Sequence, residues 1–251
     1  SQVSWCAKIV ISLSPIFTAF LVMALLLHFS IFEFSKNILI MKFTIEHCGV
    51  TYKSDFSQGV DLSSVLGLPG KELKAWWAED VDISPVVNGD WIGSVKEGAP
   101  VNFFNIKFNP HGNGSHTETY GHISEEKESV HDYLKKYHFV SWLVNLAPEK
   151  AENGDSIIRL ETLKQAVTNW DGIEALIIKT GNYTEGHDFS GTNATYFEPE
   201  LLAFIRDQGV EHVLVDLPSV DREEDQGKLL AHHAFWDYPE APRDGCTISE
   251  L

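Results

Sequence analysis

The chain reads as one α/β domain over residues 41–251, and three features predict this class. Residues 159–170 carry Leu160, Leu163, Val167 and Trp170 at helical spacing, and the apolar run 175–178 follows as a short buried strand. Pro199 stands at the first turn of a second helix, Leu201, Leu202 and Ile205 supply its apolar face, and Gly209 closes it before a strand at 210–215. Strand, helix and strand joined by short links predict parallel pairing through a right-handed crossover. No internal repeat or low-complexity linker divides this region.

Taken in order, residues 1–40 differ from the rest. The stretch 9–32 is apolar apart from scattered Ser and Thr, Pro15 and His28, with Lys8 before it and Glu33 after it. That is long enough to cross a bilayer as a helix. It makes a poor signal peptide, because no small-x-small cleavage site follows Leu25-Leu26-Leu27. Met41-Lys42-Phe43 resembles a natural start. The leading segment is therefore either a membrane anchor or over-extended translation, and the protein is expected in the cytoplasm unless 9–32 anchors it. Residues 41–52 alternate weakly, as a half-buried strand would. Turn residues mark 62–69 and 89–98. The β-branched and aromatic run 101–108 predicts a buried strand leading into a histidine-rich loop. Residues 124–136 are highly charged, which predicts a solvent-facing turn and helix with His131 and His138 at the surface.

Charge and cysteine usage narrow the function. The 251 residues include 36 acidic and 19 basic side chains, a net charge of −17, and no Lys/Arg-rich run. A phosphate backbone would be repelled, so nucleic acid is not an expected partner. Cys6, Cys48 and Cys246 lie far apart and form neither a disulfide framework nor a thiolate zinc site. Any metal must rest on nitrogen and oxygen.

The stretch Asn109-Pro-His-Gly-Asn-Gly-Ser-His-Thr-Glu-Thr-Tyr-Gly-His122 holds His111, His116 and His122 with Glu118. Neutral imidazole and carboxylate suit zinc or manganese. His116 and Glu118 are two apart, so on an extended backbone they share a face. Gly112 and Gly114 permit a bend that would return His111 beside them. The plainer reading is a solvated loop that happens to be rich in histidine. His232 and His233 lie on an expected helix at 229–235, where adjacent residues point about 100° apart, so only one can face a shared metal. Glu250 sits in a β-like segment at 247–251. A packed core histidine and a solvated carboxylate are the structural alternatives for these two. Asp216 and Asp221 suit a turn or support for His232. Trp91, Phe103 and Phe104 suit an aromatic pocket or the core.

The 109–122 run, together with Val213-Leu-Val-Asp-Leu-Pro-Ser-Val-Asp221, Ala231-His-His-Ala234 and Thr247-Ile-Ser-Glu250, resembles the cyclase family that includes bacterial kynurenine formamidase and isatin hydrolase. The blocks fall in the family's order across roughly 43–251. The resemblance implies a layered swivelling β/β/α domain with a mixed sheet, often a homodimer. It implies a divalent metal, zinc or manganese, held by His116, Glu118, His232 and Glu250, with His111 as the first histidine of the motif. It implies His122 as a proton shuttle. Two departures stand out: His116 comes five positions after His111 where the family's step is four, and Glu118 replaces the usual aspartate. The family's chains also continue beyond the glutamate matched by Glu250, so closing strands are expected to be missing here. The implied activity is hydrolysis of an amide or lactam by metal-activated water, arylformamidase-like. Hydrolysis of another cyclic amide or ester, and metal binding without catalysis, are the alternatives. No Gly-x-Ser-x-Gly elbow points to a serine hydrolase.

Overall fold

A computed structural model describes residues 42–126, 128–181 and 183–250. The apolar stretch 9–32 and the expected start at Met41 lie outside the described residues. A five-stranded sheet organises the molecule, in the order His116–Glu118, Thr247–Glu250, His212–Val215, Ala175–Lys179, Ser141–Asn145. The last four are parallel to their neighbours, and His116–Glu118 pairs antiparallel with Thr247–Glu250, so the sheet is mixed. The expected parallel pairing of the two buried runs is borne out: Ala175 faces His212 and Ile178 faces Val215. Both are continuous apolar runs because both faces of a central parallel strand are covered.

One face packs against three helices, Leu160–Ala166, Pro199–Asp207 and Leu230–Trp236. Leu163, Leu176, Leu201, Ile205, Val213 and Trp236 belong to its core and are each fully buried. Pro199 opens its helix as expected, and Gly209 follows its end at φ +80, a conformation that favours glycine. The helix predicted over 159–170 stops at Ala166. Val167 turns to an extended backbone (φ −122, ψ 107) yet still places its side chain in the core. The opposite face is thinner: Ala175, Ile177 and Leu214 pack under Leu62, Phe139 and Leu143.

Two expectations need correcting. Residues 41–52 do not form one half-buried strand. Lys42–His47 and Val50–Asp55 make a mostly exposed hairpin, because Cys48 (φ 47) and Gly49 (φ 73) take the left-handed pair of values of a tight hairpin turn. The strand before the histidine loop, Phe104–Lys107, is exposed along its whole length. It pairs only with Asp82–Pro85 as a two-stranded ribbon, so its aromatic and β-branched composition serves strand formation without burial.

Candidate metal centre

The register of the antiparallel edge builds the centre. Glu250 stands opposite His116 and Ile248 opposite Glu118. Cross-strand partners and residues two apart share a face, so His116, Glu118 and Glu250 converge. His116 Nε2 lies 3.3 Å from Glu250 Oε2 and 3.7 Å from Glu118 Oε2. The other ring nitrogen of His116 donates to the Gly114 carbonyl at 3.3 Å, which turns Nε2 towards the carboxylates.

His232 enters from the Leu230–Trp236 helix. Asp221 binds the start of that helix, its Oδ1 accepting from Ala231 N at 2.8 Å and its Oδ2 from His232 N at 3.1 Å. The same Oδ2 accepts the ring Nδ1–H of His232 at 2.6 Å. With Nδ1 held there, Nε2 points at Glu118 Oε1 at 3.0 Å and Glu250 Oε1 at 3.8 Å. His233 faces away and donates to the Tyr238 carbonyl, as the 100° offset requires.

His111 reaches the centre despite the extra residue in its loop. Asn113 absorbs that residue: its side chain is buried, accepts from Asn109 N at 2.7 Å and donates to the Glu79 carbonyl at 2.9 Å. His111 Nδ1 then lies 3.4 Å from Glu118 Oε2. His122 sits on a short 3₁₀ turn, Tyr120–His122, capped by Thr119, with Nδ1 3.3 Å from Glu118 Oε2. Gly121 is required there, since a Cβ would lie 2.0 Å from the Glu128 carbonyl oxygen. All six residues expected at the site come together. His111 and His122, with 41% and 29% of their side chains exposed, form its open side, whereas Glu118, His232 and Glu250 are buried.

The electrostatics show carboxylates placed for positive charge. Burial opposes a charge on His116, but Glu118 and Glu250 outweigh it and push the imidazole up to about 10. Burial likewise opposes charge on His232, and Asp221 and Glu118 raise it to about 10. Burial works against ionised Glu118, yet His116 and His232 hold it down at about 2. Glu250 is pushed up, first by burial and also by the charge of Glu118. On the open side, burial and then repulsion from His116 and His122 lower His111 to about 4. Burial also lowers His122, partly offset by Glu118.

A divalent ion fits these residues. His116 Nε2 and Glu118 Oε2 are buried with no hydrogen-bond partner, and an unpartnered buried polar atom is costly. Two three-residue groups, His116–Glu118–Glu250 and His111–Glu118–His122, each hold their donor atoms within 4.8 Å of one another and share Glu118. A cation there would supply the charge that protons otherwise bring to the imidazoles.

Asp216 fixes the turn after Ala175–Lys179, accepting from Thr180 N and Gly181 N. Trp91, Phe103 and Phe104 neither pack in the core nor line the centre. They are 39%, 56% and 41% exposed, and belong with the ribbon strands rather than the central sheet. The recess beside His111 and His116 is instead walled by Leu73, Phe189, Leu217 and Pro218. Leu73 and Phe189 meet only through the tertiary fold, which holds Lys74 against His187 and Phe189 by backbone hydrogen bonds. No local sequence signal could have found them.

Kynurenine formamidase of Bacillus thuringiensis (strain Al Hakam) is 25% identical over 175 residues, covering 64% of this chain and 78% of that protein. Kynurenine formamidase of Bacillus mycoides (strain KBAB4) is 24% identical over 185 residues, covering 72% and 78%. A solved structure described as a novel cyclase aligns with a TM-score of 0.49 and 14% identity over 75% of this chain and 74% of its own. The sequence profile of the family described as "Putative cyclase" matches residues 51–222. The chain, with its His/Glu cluster on a mixed sheet, belongs to that family.

Proposed function

We propose that this chain is a metal-dependent amidohydrolase of the arylformamidase kind, loaded with zinc or manganese. The observation that carries the reading is the buried, unpartnered pair His116 Nε2 and Glu118 Oε2 at the focus of four imidazoles and two carboxylates. His111, His116, Glu118, His232 and Glu250 would hold the ion. When bound, such an ion acts as a Lewis acid and lowers the pKa of water at an open coordination position towards about 7. The chain's own residues do the rest. His122 is held neutral by burial and sits on the open side of the centre. Its Nδ1 faces Glu118, so Nε2 is the nitrogen left for the substrate. There it accepts a proton from the attacking water and returns it to the leaving nitrogen as the C–N bond breaks. Asp221 keeps the His232 ring in one tautomer and one orientation.

Amide chemistry is supported by the relatives named kynurenine formamidase. We also propose a homodimer. Ile83, Phe104 and Ile106 are exposed on the ribbon that leads into the histidine loop, and Val87 and Phe103, next to it in sequence, are exposed as well, a surface suited to a second copy.

Elemental analysis of purified protein, paired with formate release from N-formylkynurenine, tests the reading. One or two equivalents of zinc or manganese with turnover are expected. Folded protein that takes up no metal would overturn it. Metal uptake without hydrolysis of formyl or cyclic amides would reduce the centre to a binding site.

A further inference from the structure

The ring of His122 is weakly held by its own contacts. It lies on the open side of the centre, with Glu118 Oε2 at 3.3 Å and the rings of His111 and His232 at 4.5 and 5.4 Å. The backbone beneath it is a single 3₁₀ turn, Tyr120–His122, and such a turn has poor hydrogen-bond geometry and little stability of its own. A group that moves a proton must nevertheless stay within about 0.5 Å of its working position. Its hold has to come from outside the turn.

The three residues between Glu118 and His122 supply it, each in a different way. Thr119 is buried, and its hydroxyl donates to the Glu128 carbonyl at 2.8 Å while accepting from Gly121 N at 3.4 Å. Gly121 lies flush against the main chain of Glu128, with no room for a side chain. Tyr120 is buried as well. Its hydroxyl donates to Asp244 Oδ1 at 2.9 Å and lies 3.3 Å from the Tyr133 hydroxyl. Both fixed points are themselves anchored. Ser129, next to Glu128, caps the Val130–Tyr133 helix, and Tyr133 packs against the core. Asp244 stands just before the Thr247–Glu250 strand, so the Tyr120 tie refers the turn to the strand that carries Glu250.

We infer that Thr119 and Tyr120 are positioning residues for His122: their hydroxyls hold the turn so that the imidazole keeps Nδ1 towards Glu118 and leaves Nε2 to the open side. The inference rests on the hydrolase reading for its effect on turnover, whereas the orientation of the ring is a property of the chain itself. Thr119 acts by hydrogen bonding and not by bulk, so the isosteric valine cannot replace it and serine can.

The test uses the zinc-loaded full chain, N-formylkynurenine, and the variants Thr119→Val, Thr119→Ser and Tyr120→Phe. Misplacing a reacting group by about 1 Å can cost about 100-fold in rate. Thr119→Val is therefore expected to lower kcat by about tenfold or more, with KM and zinc content held within about twofold, and Thr119→Ser to recover most of the loss. Tyr120→Phe removes a single oxygen, should lower kcat about threefold in the same manner, and carries the test if Thr119→Val does not fold. Proton–nitrogen correlation spectra of the ring nitrogens, with His122 assigned by its loss in His122→Ala, read the orientation without turnover. One set of His122 signals with the proton on Nδ1 is expected in the wild type and in Thr119→Ser, and a broadened or mixed pattern in Thr119→Val. An unchanged ring pattern with kcat within about twofold in the variants would overturn the inference, as would a mixed pattern in the wild type or loss of zinc from Thr119→Val. A wild type that hydrolyses no N-formylkynurenine, with the ring pattern still lost in Thr119→Val, would support the positioning role and defeat the hydrolase reading instead.

Discussion

Glu118 is the residue on which the centre turns, since among the described residues it alone is within reach of His111, His116, His122 and His232 together. The resemblance implied aspartate here and a shorter loop before it; the longer side chain of Glu118 and the loop that holds Asn113 meet in one workable geometry. The local part of this cluster was legible in the sequence because His116-x-Glu118 needs only a strand to align it. Asp221 was legible only as one of two options, since its role depends on a helix packed from elsewhere in the chain. Two outcomes follow at this scale. His122→Ala should abolish turnover and leave metal content intact, as elemental analysis of the variant would show, and loss of metal would remove the shuttle role. Asp221→Asn should weaken metal affinity by about 10–100-fold in a competitive chelator titration, because the Nδ1–H of His232 loses its charged acceptor. Unchanged affinity would mean that the helix alone orients the ring.

Among the elements, the loops that frame the centre are tied together by one buried carboxylate. Asp155 accepts from Arg222 at 2.7 Å, Asn193 at 2.7 Å, Asn153 at 2.8 Å and Tyr196 at 3.0 Å. It thereby joins the turn before Ser156–Ile158, the approach to Tyr196–Phe197 and the segment just after Asp221. The Arg222 guanidinium, then Asn193, hold Asp155 well below the usual carboxylate range. A depressed folded-state value means that its contribution to stability is complete above the unfolded pKa of about 3.9 and is lost as pH falls. Asp155→Asn should therefore lower stability at pH 7 and narrow the gap between pH 7 and pH 3 in urea unfolding. An equal gap in variant and wild type would show that the acid sensitivity lies elsewhere. The central strands and the Pro199–Asp207 helix were readable because their signals are local: apolar runs, an N1 proline and a closing glycine. The ribbons were misread as buried because composition reports strand propensity, and nothing in residues 101–108 says whether a layer will cover them.

For the molecule as a whole, the exposed ribbon and the charge of −17 set opposite tendencies. Net repulsion favours separation of copies, whereas nine large apolar side chains between Ile83 and Phe108 are at least 39% exposed. The homodimer reading requires the second effect to win. Light scattering after gel filtration should give twice the chain mass for the wild type and the single mass for Ile106→Glu. A wild-type monomer would end the dimer proposal. The fold class and the order of the site residues were visible in the sequence. The recess beside the centre was not, since Leu73 and Phe189 are ordinary apolar residues until the fold brings them together.

The pairing of Glu250 with His116 has a consequence for how the protein holds together. These residues lie far apart in the chain, and they meet only when the Thr247–Glu250 strand docks on His116–Glu118. An ion bridging them closes a loop that encloses the three core helices and the parallel strands. Loop closure of that length costs the unfolded chain entropy that a preformed cross-link removes, and metal affinity that requires a folded site adds directly to folding free energy. An ion held there would thus also act as a clasp between the edge strand Thr247–Glu250, the His116–Glu118 strand and the helix that carries His232.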